Sequence, residues 1–224
     1  MTNTLHRYGS AESFKDDYII FAIPARGLND EGCIPKLKDF LRICAKHSPT
    51  NIGNGNRSSL APEKGLNPNA HWTRNKKPDW DKVIEEVGKS GTVSAVFANE
   101  QDAKACFDEV VKADFGLSVN MSTSVENAKR VARACGVSRH SVEYALPFND
   151  PHDHLPNSQI LELSTMCGHG MVSFNFAKKM LDMVREGRRT SDDAATTLVR
   201  FCPCGVYNPV RAKRLIEEAC KEQR

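Results

Sequence analysis

The stretch VSAVFANEQDAKACFDEVVKADFGLSVNMSTSVENAKRVARA, residues 93–134, decides the fold class. Val93 to Phe97 is a short apolar run rich in β-branched and aromatic residues, and it reads as a strand. Asn99 followed by Asp102 supplies a helix N-cap pair, with Ala103 to Val111 carrying the helical period behind it. Phe115 to Asn120 reads as a second strand. Thr123 and Glu126 have the spacing of a capping box for a helix through Ala134. Val142 to Ala145 then reads as a third short strand. A strand–helix–strand–helix–strand order points to an α/β layer. The expected fold is therefore α/β, with a mixed or parallel sheet and flanking helices, or with a ferredoxin-like subunit. Element order alone does not choose between these.

Upstream, Tyr18 to Ile23 (YIIFAI) is a continuous apolar run and reads as a buried strand. Pro35 suits the first turn of a helix that carries Leu37, Phe40, Leu41 and Cys44 on one stripe. Residues 48–73 are rich in Asn, Gly, Pro and Ser and show almost no periodicity, which suggests a functional loop. Pro78 opens a short helix with Trp80, Val83, Ile84 and Val87. Downstream, Ile160 to Leu163 reads as a further strand. Helices are expected over 171–186, from the Thr190/Asp193 cap to Phe201, and from Asn208-Pro209 to the end. Two regions are expected: residues 1–90, a strand–helix unit with a long polar loop, and residues 91–224, an α/β region.

Composition bounds the function. The chain has 224 residues, 40% hydrophobic and 26% charged, with net charge +3, which is ordinary for a globular protein. It has no basic stripe interleaved with aromatics, so nucleic acid is not an expected partner. It has no apolar run of membrane-spanning length and no signal-peptide core at its start, so a cytoplasmic protein without a membrane partner is expected. Assembly into a homo-oligomer is left open.

Chemistry concentrates in two segments, Met166-Cys167-Gly168-His169-Gly170 and Cys202-Pro203-Cys204-Gly205. Of the eight cysteines, Cys44, Cys106, Cys135 and Cys220 fall in helical patterns and read as small core residues. Cys33 sits in a Gly-containing turn. Cys167, Cys202 and Cys204 remain, each beside small residues at what read as helix starts, where free amides would stabilise a thiolate. Three thiolates suffice for three irons of a [4Fe–4S] cluster, leaving one iron open to a substrate oxygen. Adding His169 gives a Cys₃His set that zinc accepts. His169 is also suited to proton transfer, because imidazole titrates near neutrality.

Other residues are candidates for the same site. Arg57, in the Asn- and Gly-rich run Asn51–Arg57, and Arg74, near His71 and Trp72, would clamp a carboxylate. That run lacks the glycine frameworks that bind dinucleotides or nucleoside triphosphates. His152, Asp153 and His154 form a reserve of metal ligands. Ser164 and Thr165 are either substrate-binding or helix-capping hydroxyls.

The string Met166–Gly170 resembles the segment that carries a catalytic cysteine in the proline racemase family. The resemblance covers five residues and implies a thiol that moves a proton at a substrate carbon. Cys202-Pro203-Cys204-Gly205 does not reproduce that family's second, Cys-Gly-Thr-like segment, so no family is assigned. The leading expectation is an iron–sulfur enzyme of hydro-lyase type acting on a small anionic molecule, with Cys167, Cys202 and Cys204 as ligands and His169, Arg57 and Arg74 as catalytic residues. The alternatives are a zinc-stabilised binding module and a metal-free cysteine isomerase or hydrolase.

Overall fold

The computed structural model describes residues 5–62, 78–138 and 155–221. The strands are β1 (Tyr18–Ile23), β2 (Asn51–Gly53), β3 (Val93–Phe97) and β4 (Ser118–Ser122), and they form one sheet in the order β2-β3-β1-β4. Every neighbouring pair is antiparallel. With helix α1 (Cys33–Lys46) between β1 and β2, and helix α3 (Glu100–Ala113) between β3 and β4, two β-α-β units interlock as in the ferredoxin-like arrangement. The α/β class therefore stands, and no neighbouring strands run parallel. The sheet joins residues on both sides of position 90, so the two expected regions share it.

The apolar run at β1 explains the layering. Side chains alternate across a strand, and both faces of β1 are buried. Tyr18, Ile20 and Ala22 pack with α1, α3, α2 (Trp80–Glu85) and α4 (Val125–Ala134). Ile19, Phe21 and Ile23 face the opposite way. They meet a second helical layer of α5 (Ser158–Ser164), α6 (Phe174–Arg185), α7 (Ser191–Val199) and α8 (Pro209–Lys221). Fully burying one Ile or Phe stabilises by about 1.5–3 kcal/mol, so this short strand anchors both layers.

Local signals place most helices. The Asn99 side chain accepts from the Asp102 amide at 2.8 Å, and Thr190 Oγ1 accepts from the Asp193 amide at 3.1 Å, as the caps predict. At α4 the cap is Ser124, which accepts from the Asn127 amide, while the neighbouring Thr123 hydroxyl donates to the Phe14 carbonyl. β4 starts later than predicted because Asp114 and Gly116 both take left-handed backbone angles, which turns the chain after α3. Ile160–Leu163 is not a strand but lies inside α5, whose N-cap is Asn157. A four-residue apolar run fits a buried strand and a buried helix equally well. Val142–Ala145 lies outside the described residues.

Of the four cysteines expected in helix cores, Cys44 and Cys106 are buried, whereas Cys135, just past α4, and Cys220 are only partly so. The Cys106 thiol points to the Cys44 sulfur at 3.6 Å between α1 and α3. Cys33 is the first residue of α1 and is also buried in this core. No helix among the described residues is long and apolar enough to cross a membrane.

Candidate functional site

Two loops meet where the second helical layer covers the sheet. The first, residues 165–173, joins α5 to α6 and carries Cys167 and His169. The second, residues 200–208, joins α7 to α8 and carries Cys202 and Cys204. Neither loop is a helix start of the kind expected. α6 begins at Phe174, capped by Ser173, well past Cys167. At α8 the Asn208 side chain takes the Val210 and Arg211 amides itself, which leaves them no role at sulfur.

The first loop is fastened by the N-terminal segment. The His6 amide donates to the Gly168 carbonyl, Arg7 Nε to the Met166 carbonyl at 2.8 Å, and the Tyr8 amide to Thr165 Oγ1. Thr165 and Ser164 in turn donate to the Leu161 carbonyl, so both hydroxyls serve the end of α5. Gly168 has φ +73°, and a Cβ there would lie 2.8 Å from Leu5 Cβ and 2.9 Å from the His6 amide. Arg7 and Arg211 share the buried carboxylate of Asp17 and flank the Phe14 ring, at 4.7 and 4.1 Å from its centroid. Burial lowers the Arg7 pKa to about 10, although the Asp17 charge opposes this.

The second loop is seated by a close backbone approach. A Cβ on Gly53 would fall 2.1 Å from the Cys204 carbonyl oxygen, and one on Gly205 would fall 2.3 Å from the Gly53 amide nitrogen. Two glycines let the end of β2 and the Cys204–Gly205 turn touch main chain to main chain. Ser94 Oγ on β3 donates to the Cys204 carbonyl at 2.5 Å, and the buried Tyr207 hydroxyl donates to the Leu163 carbonyl at 3.0 Å.

These supports bring four chemical groups together across 35 residues. Cys202 Sγ lies 3.1 Å from Cys204 Sγ, and Cys204 Sγ lies 3.2 Å from His169 Nδ1. Cys167 lies beside them, near enough to Cys202 and His169 for both to shift its titration. All eight cysteines are free thiols. The hydrogen bond to Cys202 and burial push the Cys167 thiol up to about 12. For Cys202 the bond from Cys167 lowers the value, but the bond to Cys204 and burial outweigh it and again give about 12.

The spacing bears on what the group could hold. A tetrahedral ion bound at about 2.3 Å by sulfur and 2.0–2.1 Å by nitrogen sets sulfurs about 3.8 Å apart and sulfur from nitrogen about 3.6 Å. The observed contacts are shorter. Among the described residues no group of three or more His, Cys, Asp or Glu side chains is spaced for a metal ion as it stands. The Cys202–Cys204 and Cys204–His169 contacts would each have to lengthen by less than about 1 Å to accept one ion. A cube that gives each thiolate its own iron needs a much wider spread.

Cys167 and Cys202 are fully buried, whereas Cys204 and His169 form one wall of a cleft of ≈ 380 Å³. Its floor is Phe21, Ile23, Leu5 and Val206, and residues 54–56, residues 89–92 and Ser94 complete the lining. Arg57 does not line it. Its guanidinium pairs with Glu86 at 2.7 Å behind the same turn. Among the described residues Lys89 is the cation that lines the cleft, and the sequence did not single it out because an exposed lysine after a helix carries no signal of its own. Arg74, His71, Trp72 and the 152–154 segment lie outside the described residues.

Comparison of the chain with protein-family models, with curated proteins and with solved structures found no match in any of the three.

Proposed function

We propose that the protein is a cytoplasmic metal-dependent enzyme. Cys167, Cys202 and Cys204 are the ligands, and the substrate is a small anionic molecule bearing an oxygen function. The observation that carries this reading is the contact of Cys202, Cys204 and His169, with Cys167 beside them, at a cleft that Cys204 and His169 line. A purely structural zinc site would give no reason for a polar cleft against its outer edge. Once its measured contacts lengthen by less than about 1 Å, the group would take a single tetrahedral ion such as zinc, bound by three thiolates with one position towards the cleft, the pattern of catalytic rather than structural sites. Such an ion supplies Lewis-acid polarisation of an oxygen. The chain's own part is to hold the sulfurs, to bury Cys167 and Cys202 from water, and to present His169 for proton transfer at the substrate. Non-redox elimination or hydration is the reaction class that needs no more than these parts.

A second reading keeps the [4Fe–4S] cluster. It is favoured by the count of three thiolates around a corner open to solvent, and it requires the sulfurs to spread widely. Metal analysis of protein purified without oxygen separates the two. One zinc per chain, lost in Cys202→Ser and Cys204→Ser, supports the single ion. About four irons with four sulfides support the cluster, and neither metal would leave a metal-free thiol enzyme. His169→Asn tests the proton-transfer role. It should keep the metal and lower turnover by about 10²–10⁴-fold. Loss of metal instead would make His169 the fourth ligand of a closed, structural zinc.

A further inference from the structure

Besides Cys204 and His169 the cleft is lined by polar side chains, of which Asn56, Lys89 and Ser90 are exposed. Asn54 is fully engaged, its Oδ1 accepting from the Asn56 and Arg57 amides and its Nδ2 donating to the Val83 carbonyl. Ser94 is bonded to the Cys204 carbonyl. Asn56, Lys89, Ser90 and Thr92 remain. Among the described residues the structure gives their side chains no hydrogen-bond or ion-pair partner, and all four line the same cleft. Among the described residues no Asp or Glu lines it, and with Arg57 held by Glu86, Lys89 is the described cation at the cavity. The floor, by contrast, is apolar, with Phe21, Ile23 and Val206 at its base.

We infer that this cleft recognises a short-chain monocarboxylate, its carboxylate held by Lys89 with Thr92, Ser90 and Asn56, and its apolar chain laid over Phe21, Ile23 and Val206. Among the described lining residues Lys89 stands without a second cation, which argues for a single negative charge, since a dianion would be left half-neutralised. The apolar floor argues against a bare inorganic anion, which would lose hydration there without recompense. The cavity is at the small end of ligand sites, which limits the chain to a few carbons. A ligand spanning the cleft from Lys89 brings its far end to Cys204 and His169. The inference thus names the substrate class of the site proposed above and rests on that reading for its chemistry, but not for its binding.

The test is titration of the purified full-length protein with sodium butanoate by calorimetry, with metal content measured on the same samples. Wild type should bind butanoate more tightly than acetate, by roughly fourfold for each added methylene. It should bind 1-butanol far more weakly, and inorganic phosphate no better than butanoate. Lys89→Met should weaken butanoate about tenfold or more, the size of one charge-assisted hydrogen bond. Thr92→Val should weaken it less. Both changes should leave metal content untouched. Lys89-dependent butanoate binding in protein that carries no metal would sustain this inference while removing the metal reading. No butanoate binding by wild type, equal affinity in Lys89→Met, or a preference for phosphate would overturn the inference and leave the metal reading standing.

Discussion

Replacing Gly53 by alanine should damage the cysteine site from the sheet side, and the size of the effect follows from the geometry. The new Cβ would lie 2.1 Å from the Cys204 carbonyl oxygen, 2.3 Å from its carbonyl carbon and 2.7 Å from the Gly205 nitrogen. All three are backbone atoms, so no rotamer change relieves the clash. Real Cβ contacts start near 3.0 Å, so β2 and the Cys204–Gly205 turn must part by about 1 Å. Overpacking of this kind costs about 1–3 kcal/mol. The same displacement exceeds the tolerance of the 3.1 Å and 3.2 Å contacts from Cys204 to Cys202 and His169. Gly91→Ala is the control, because Gly91 lines the same cleft and a Cβ there meets nothing within 4 Å. Urea unfolding should place Gly53→Ala about 1–3 kcal/mol below Gly91→Ala, with bound metal reduced only in the former. Equal stability and equal metal in the two variants would refute the claim that β2 seats the Cys-Pro-Cys-Gly turn.

Asp17→Asn removes the carboxylate shared by Arg7 and Arg211 and leaves two guanidiniums with almost no access to water, so unfolding experiments should show a loss of about 3–5 kcal/mol. Alkaline pH should destabilise the metal-free protein. Cys167 and Cys202 have folded values near 12 against an ordinary 9.0, so their contribution is whole below pH 9 and disappears as pH rises from 9 towards 12. Each thiol accounts for up to about 1.4 kcal/mol per pH unit in that window. Urea midpoints at pH 8 and pH 10 should therefore diverge in the presence of a strong chelator, and diverge much less in metal-loaded protein.

Much of the fold was legible because it rests on local chemistry. Asn99, Thr190 and Asn208 announce their helices, since a capping side chain acts within three residues of itself. YIIFAI announces a strand buried on both faces because it has no polar member. β2 was hidden in the irregular run 48–73, since Asn51-Ile52-Gly53 is too short to show a period, and its glycine is there for contact with Cys204 and not for the strand. α5 was misread because Ile160–Leu163 is too short for helix and strand to separate by pattern, although Asn157 three residues ahead was the available sign. The membership of the candidate site was legible from residue type, because three cysteines and a histidine next to glycines have few ordinary uses. Their convergence was not, since it depends on the Arg7–Asp17–Arg211 network and on the Gly53–Gly205 contact, both made between segments far apart in sequence. Arg57 was drawn to the site by its charge, but Glu86 holds it, and Lys89 took the place assigned to it.

The central claim is that Cys167, Cys202 and Cys204, with His169 at their edge, form one metal-binding group. X-ray absorption at the metal edge of the anaerobically purified protein tests this most directly. The account predicts one zinc per chain with a shell of three sulfurs at about 2.3 Å, and lighter N or O scatterers at about 2.0–2.1 Å completing a tetrahedron. The sulfur count should fall to two in Cys204→Ser. A metal without sulfur neighbours would contradict the account, as would a sulfur count that Cys204→Ser leaves unchanged.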